Sequence, residues 1–231
     1  MNEEKVIELK NVSKAYHGDI VALQNIDIEI KKGEFVSVVG RSGTGKTTLV
    51  KLLIAEERVT RGEINVLGWD LRKIRKSKIS EFRRQIGVVF QDFKLLDKKT
   101  IYENVAFAMM VCEEKNSLIK SVVPEVLSLV GLSGKEKAFP CELSGGEQQR
   151  VAIARAFIHH PEILIADELT GELDALYAWE IMEILLKINK LGTTIFLSTH
   201  DRDIVNRLKK RVITLEGGRV LRDRVKGDYM L

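Results

Sequence analysis

Phe35-Val36-Ser37-Val38-Val39-Gly40-Arg41-Ser42-Gly43-Thr44-Gly45-Lys46-Thr47-Thr48 is the stretch whose reading decides the fold. A β-branched run ends at Gly40, further glycines stand at 43 and 45, and Leu49-Val50-Lys51-Leu52-Leu53 continues with helical character. The pattern is G-x-x-x-x-G-K-[ST] with a strand before it and a helix after it, the context in which that spacing has meaning. Glycine at 40, 43 and 45 permits backbone angles and close approaches that a Cβ forbids. The N–H groups of the loop, from Gly40 through Arg41, Ser42, Gly43, Thr44 and Gly45 to Thr48, then converge on an anion at a helix N-terminus, where the dipole favours negative charge. Lys46 adds a point charge for β- and γ-phosphates, and the Thr47 hydroxyl can complete a Mg²⁺ shell. A glycine-rich turn with a surface lysine is the plainer alternative, but it accounts for neither the spacing nor the flanks. The expected ligand is a nucleoside triphosphate.

The rest of the chain sets the frame. With 231 residues, 45% hydrophobic and 30% charged, it reads as one large globular domain or two closely packed lobes. The longest apolar run, Val105 to Cys112, is far below the ~18 residues a membrane span needs. Met1 to Lys5 has neither the basic nor the apolar part of a signal peptide, so no targeting segment is expected. Cys112 and Cys141 form no metal or redox pattern. Arg72, Lys73, Arg75, Lys76, Lys78, Arg83 and Arg84 crowd one region of a chain whose net charge is only +4. With only Phe82 interleaved, the cluster reads as a solvated helical face, with anionic lipid a possible neighbour and no nucleic-acid partner expected.

Period-two alternation at residues 6–12 and 26–30 indicates antiparallel strands with one polar face. Arg61 to Gly68 adds a further short strand between glycine turns. Three short apolar runs join the strand before Gly40: Ile86 to Phe90, Ile163 to Ala166, and Thr194 to Thr199. Such runs are buried parallel strands, and they end at Gln91, Asp167-Glu168 and His200. Ligands of open α/β sheets sit beyond the carboxyl ends of strands, so these residues should meet one phosphate. Asp167 suits Mg²⁺ or its water, and Glu168 is the candidate for polarising the attacking water, its side chain pointing away from that of Asp167 by strand alternation. Gln91 can touch both metal and water, and His200 can bond the γ-phosphate. Between Gln91 and about Leu143, helical spacing over 100–113 and 117–130 marks a helical lobe.

Leu143-Ser144-Gly145-Gly146-Glu147 opens another helix, with Ser144 and Glu147 spaced as a capping box. Two glycines in a first helical turn are poor for stability, and bare N–H groups there make a second anion site. One phosphate loop and one spare anion site per chain suggest a head-to-tail homodimer, with Ser144, Gly145, Gly146 and Glu147 of each copy closing on the other's γ-phosphate.

Taken together, Gly40–Thr47, Gln91, Leu143–Glu147, Asp167-Glu168, Asp174 and His200 resemble the ATP-binding-cassette ATPases, element by element and in order. The resemblance covers essentially the whole chain. It implies an α/β ABC-type nucleotide-binding domain over 1–231. In it a P-loop parallel-sheet core and an antiparallel β part (1–91 and 160–231) carry a helical lobe with the signature motif (92–159). By the same likeness Tyr16 stacks on the adenine of ATP, though by itself it reads as a packed strand-end tyrosine, and Asp174 lies in the loop joining the two sites of the dimer. Val88 to Leu96 and Thr100 to Ala108 are similar to the family's bacterial cell-division group. That likeness implies a peripheral subunit on the cytoplasmic face of the cell membrane. It would hydrolyse ATP as a switch for cell-wall hydrolysis, docked through Gln91–Leu96 and the helical lobe on an integral membrane partner of the FtsX type. The alternative is the ATPase of a lipoprotein-release or macrolide-export transporter. Leu169 and Glu172 depart from the group's usual proline and asparagine, which bears on hydrolysis and not on nucleotide binding; Asp97 also replaces a usual proline.

Overall fold

Alternating burial along two long strands builds the first sheet. In β1 (Lys5–Tyr16), Ile7 and Leu9 are buried while Glu8 and Lys10 face outward; in β2 (Ile20–Lys31), Ile26, Ile28 and Ile30 are buried with Asp27 and Glu29 outside. The two pair antiparallel, Ile7 opposite Ile30, Leu9 opposite Ile28 and Val12 opposite Ile26, with bulges that shift the register. Asn11 takes a left-handed backbone at one irregular step, and its N–H donates to Asp27 Oδ1 at 2.8 Å. The computed structural model describes residues 4–17, 20–169 and 175–227. They form two compact units, one from 1–83 with 194–231 and the other from 84–193.

In the first unit, β4 (Arg61–Val66) and β5 (Trp69–Asp70) extend the antiparallel sheet in the order β2-β1-β4-β5. Wholly buried β3 (Phe35–Val39) runs parallel to β8 (Thr194–Thr199) and to β9 (Arg211–Glu216), and β10 (Arg219–Arg224) closes that edge antiparallel to β9. Helices α1 (Lys46–Leu53), α2 (Ile79–Arg83) and α7 (Arg202–Leu208) belong to the same unit. The basic cluster is not one helical face: between β5 and α2 the chain makes turns and a single 3₁₀ turn at Lys76–Lys78. Much of its charge is answered locally. Arg72 forks onto the Asp70 carboxylate at 3.0 and 3.1 Å, holding that carboxyl down at about 2, and Arg83 Nε donates to the Ile54 carbonyl at 2.9 Å.

The second unit pairs β6 (Ile86–Val89) parallel to β7 (Ile163–Asp167), Ile86 opposite Ile163 through Val89 opposite Ala166. Around them lie α3 (Ile101–Val111), α4 (Asn116–Leu129), α5 (Gly145–Phe157) and α6 (Ala175–Lys190). The two helices expected over 100–113 and 117–130 are α3 and α4, and α4 runs through Pro124 because its Ile119, Val123, Val126 and Leu127 are buried. Helix α5 packs on α3, α4, α6 and β6 and buries Val151, Ala152, Ile153, Ala154, Ala156 and Phe157. Its second half, apolar on nearly every side after Arg150, belongs in a core. No described helix is long and apolar enough to cross a membrane.

One side chain braces the first unit's edge. Arg211 forks onto Asp223 in β10 at 2.6 and 2.8 Å, reaches Glu34 before β3 at 3.0 Å, and donates to the Glu29 carbonyl in β2 at 2.8 Å. Asp223 foremost, with Glu34, raises its pKa above the ordinary guanidinium value. Arg211→Met leaves both carboxylates without their shared cation, and urea unfolding should show a loss of about 2 kcal/mol, the scale of hydrogen bonds to charged groups.

Candidate functional site

The phosphate loop leaves β3 at Gly40 and re-enters regular structure at Lys46. Gly45 is the N-cap of α1 with φ 99°, and a Cβ there would lie 2.6 Å from both the Ala22 carbonyl and the Leu23 side chain. At Gly40 a Cβ would meet the Leu215 carbonyl at 2.5 Å. Both glycines are therefore required by sterics as well as by motif. Helix α1 has no side-chain cap and no acidic residue in its first turn, so its N–H groups are not answered by a cap and suit an anion. Lys46 is 6% exposed, and its ammonium donates to the Gly40 carbonyl at 2.8 Å and the Arg41 carbonyl at 3.1 Å. The cation is thereby held inside the loop it would serve. Thr47 is exposed on the first turn, and Arg41, Ser42 and Gly43 are exposed in the loop.

Two other expected residues join this loop within the first unit. Val39 is opposite Thr199 in the parallel β3–β8 ladder, so Gly40 and His200 follow adjacent strands at the same edge, with His200 exposed. Tyr16 ends β1; its hydroxyl lies 3.5 Å from Thr48 Oγ1, and the Lys14 ammonium sits 4.7 Å from its ring centre. Lys14 is itself buried and held by Glu57 at 2.7 Å and the Arg58 carbonyl at 3.0 Å.

Within the second unit, Gln91 lies just past β6 and Asp167 ends the parallel neighbour β7, which puts Gln91, Asp167 and Glu168 at one carboxyl edge. Asp167 is buried at 8% exposure, Glu168 is half-buried and Gln91 is exposed. Glu168 does not continue the strand. It takes φ 52°, a left-handed conformation that costs a residue with a side chain of order 1–3 kcal/mol and that clusters at functional sites. The separation of the two carboxyls therefore comes from this kink and not from strand alternation. Leu169, one of the departures, is buried at 3%, while Asp97 is exposed. Glu172 and Asp174 lie outside the described residues.

The Ser144 end of α5 forms the capping box that its spacing predicts. Ser144 Oγ accepts from the Glu147 N–H at 3.4 Å and donates to Glu147 Oε2 at 3.1 Å, and Ser144 N–H donates to the same oxygen at 3.0 Å. Lys135, from the turn after α4, pairs with Glu147 and with the capping bonds holds its carboxyl down at about 2. Sequence reading missed Lys135, whose contact with Glu147, twelve residues on, depends on how the turn after α4 folds back. Gly145 is exposed and Gly146 buried beside Tyr177.

Two further residues escaped the sequence reading. Asn104 in α3 is fully buried and binds the Leu96 N–H at 2.8 Å and the Leu96, Lys99 and Thr100 carbonyls at 3.0–3.1 Å. Arg155 in α5 reaches the chain just after Gln91. The signal was present for both: a polar residue inside an apolar helical run.

Comparison with known proteins follows the same outline. The family model described as ABC transporter matches residues 23–171. The chain is 51% identical to the cell division ATP-binding protein FtsE of Streptococcus pneumoniae (strain D39), over 97% of either chain. It is also 51% identical to FtsE of Bacillus subtilis, over 97% of this chain and 98% of that one. Among solved structures, the dimeric ATP-binding cassette MJ0796 in a post-hydrolysis state bound to ADP and Pi superposes with a TM-score of 0.86 at 34% identity. That match covers 96% of this chain and 100% of the other.

The capping carboxylate gives a pH test. Its pKa is lowered on folding from 4.5 to about 2, so the stability it adds is complete above its unfolded value and is lost as pH falls through that window. Thermal melts between pH 5 and about 2 should show a steeper decline for the wild type than for Glu147→Gln.

Proposed function

The chain belongs to the ABC transporter family, and we infer from that membership that it is the ATP-binding and ATP-hydrolysing subunit of a cell-division complex of the FtsEX kind. The observation that carries this reading is 51% identity to FtsE proteins along 97% of the chain. The strand ends agree with it, bearing Gly40, Gln91, Asp167-Glu168 and His200. Within the complex the chain acts as a nucleotide-driven switch, relaying its state through an integral membrane partner of the FtsX type to cell-wall hydrolases.

The residue roles follow from chemistry. Lys46 and the N–H groups of Gly40–Thr48 hold the β- and γ-phosphates, and Tyr16 takes the base. Thr47, Gln91 and Asp167 offer only hard oxygen donors, which suits Mg²⁺. When bound, that ion neutralises charge on the β- and γ-oxygens. Glu168 accepts a proton from the water that attacks the γ-phosphorus as the bond to the ADP oxygen breaks, and His200 bonds the γ-phosphate. Ser144, Gly145, Gly146 and Glu147, with Asp174, serve the site of a second copy in a head-to-tail homodimer; the dimeric MJ0796 cassette supports that assembly. The helical lobe over 92–159 is the part that meets the membrane partner on the cytoplasmic face, with Leu96, Phe107 and Met110 exposed there as apolar contacts.

Lys46→Ala should abolish ATP binding in equilibrium titration. Glu168→Gln should retain binding, lower hydrolysis by about 10²–10³-fold, the scale for loss of one preorganised group, and accumulate ATP-bound dimer in sizing chromatography. Normal turnover in that variant refutes the assignment of the base. Membrane pull-downs with and without ATP should recover a division partner; recovery of a solute or lipoprotein exporter would redirect the role.

A further inference from the structure

The turn after Gln91 is held from two sides. Phe93 and Lys94 both adopt left-handed backbones, φ 49° and 50°, which side-chain-bearing residues avoid and which are unusual in succession. That pair turns two consecutive carbonyls the same way, toward Arg155. Arg155 Nη2 donates to the Phe93 carbonyl at 2.8 Å and Nη1 to the Lys94 carbonyl at 2.6 Å. The Lys94 N–H turns back on the Asp92 carbonyl, and its ammonium lies 4.0 Å from the Phe90 ring centre, closing residues 90–94 around Gln91. Asn104 secures the far end through its four bonds to the backbone at Leu96, Lys99 and Thr100. Leu96 is left partly exposed between the two anchors.

Arg155 is an unusual choice if stability alone were served. Burial lowers its pKa, and among the described residues its hydrogen bonds are to carbonyls alone, with no carboxylate partner. Carbonyl oxygens compensate a desolvated cation less well than a carboxylate does. Its position gives another reason. Arg155 lies on the helix whose N-cap is Ser144, about 16 Å away along the axis at 1.5 Å per residue. A buried helix moves as a rod, so displacement at the serine end reaches the guanidinium.

We propose that Arg155 is a positioning residue for Gln91, clamping the Phe93-Lys94 turn so that helix α5 and the segment 91–96 move together. The inference rests on the reading of Gln91 and Ser144 given above. It adds a link within one chain: engagement of Ser144 by the second copy's nucleotide is passed along α5 to the segment that faces the membrane partner.

Hydrogen exchange on the full chain, with ATPase assays, tests this. Arg155→Met keeps the aliphatic stem and removes both donors. Amides of 91–97 should exchange about tenfold faster or more, the scale set by loss of charge-assisted hydrogen bonds, while α1 and the core of α5 keep their protection. The kcat should fall with KM for ATP unchanged. Lys94→Gly added to that variant should recover much of the protection, because glycine adopts the left-handed turn without a Cβ penalty. Lys94→Pro, on an exposed loop, forbids the turn from the other side and should reproduce the Arg155→Met pattern even if the latter folds poorly. Unchanged exchange over 91–97 in both single variants overturns the proposal. So does a loss spread over all of α5 that Lys94→Gly leaves unrepaired. Failure of the underlying reading shows separately, as ATP hydrolysis that survives Lys46→Ala.

Discussion

Parallel strands buried on both faces have room for only small polar groups along their length, and the large polar residues of this chain gather where those strands end. Strands β3, β6, β7 and β8 are almost entirely apolar or small along their length. Their first strongly polar residues come where the chain leaves the ladder. In the first unit this puts the phosphate loop and His200 after neighbouring strands in register; in the second it puts Gln91 beside Asp167 and Glu168. Burial of the strands fixes the positions of their ends to within the tolerance of a close-packed core. Side chains that must meet a phosphate or a water within hydrogen-bond reach need such a support.

Left-handed backbone, which also occurs at turns elsewhere in the chain, recurs at several of these places. Gly45, Glu168, Phe93 and Lys94 all have positive φ, and each directly follows or forms a turn at a strand end or helix start. At Gly45 the absence of a Cβ relieves the strain. At Phe93 and Lys94 it is opposed by Arg155, and at Glu168 it follows a strand buried at every residue. Conformations of this kind persist only where their surroundings over-determine them. That requirement explains why helix α5, whose residues are otherwise apolar after Arg150, retains one charged side chain at 155.

Electrostatics are local throughout. The basic cluster that stands out in the sequence is answered in good part by its own neighbours: Asp70 for Arg72 and Lys73, Glu81 for Lys78, Glu113 for Arg84. Exposed pairs of this sort contribute little to stability, but they lower the long-range field that nucleic acid or an anionic surface would need. The more consequential charges are few: Lys46 inside its loop, Glu147 clamped by Lys135, and Arg211 between two carboxylates.

By itself the sequence determined whatever depends on neighbours along the chain. Strand alternation, the glycine spacing of the phosphate loop, the Ser144–Glu147 box and the polar residues closing each apolar run are local signals, because backbone geometry repeats every two or 3.6 residues. The tertiary structure decided what depends on partners far away in sequence. It showed that the basic stretch is turns and a short helix, that Glu168 leaves its strand by a left-handed kink, and that Arg155 holds the Phe93-Lys94 turn. A hydrogen bond to a carbonyl 61 residues distant leaves no periodic trace in the chain. Only packing, which brings helix α5 against β6 and α3, makes it exist.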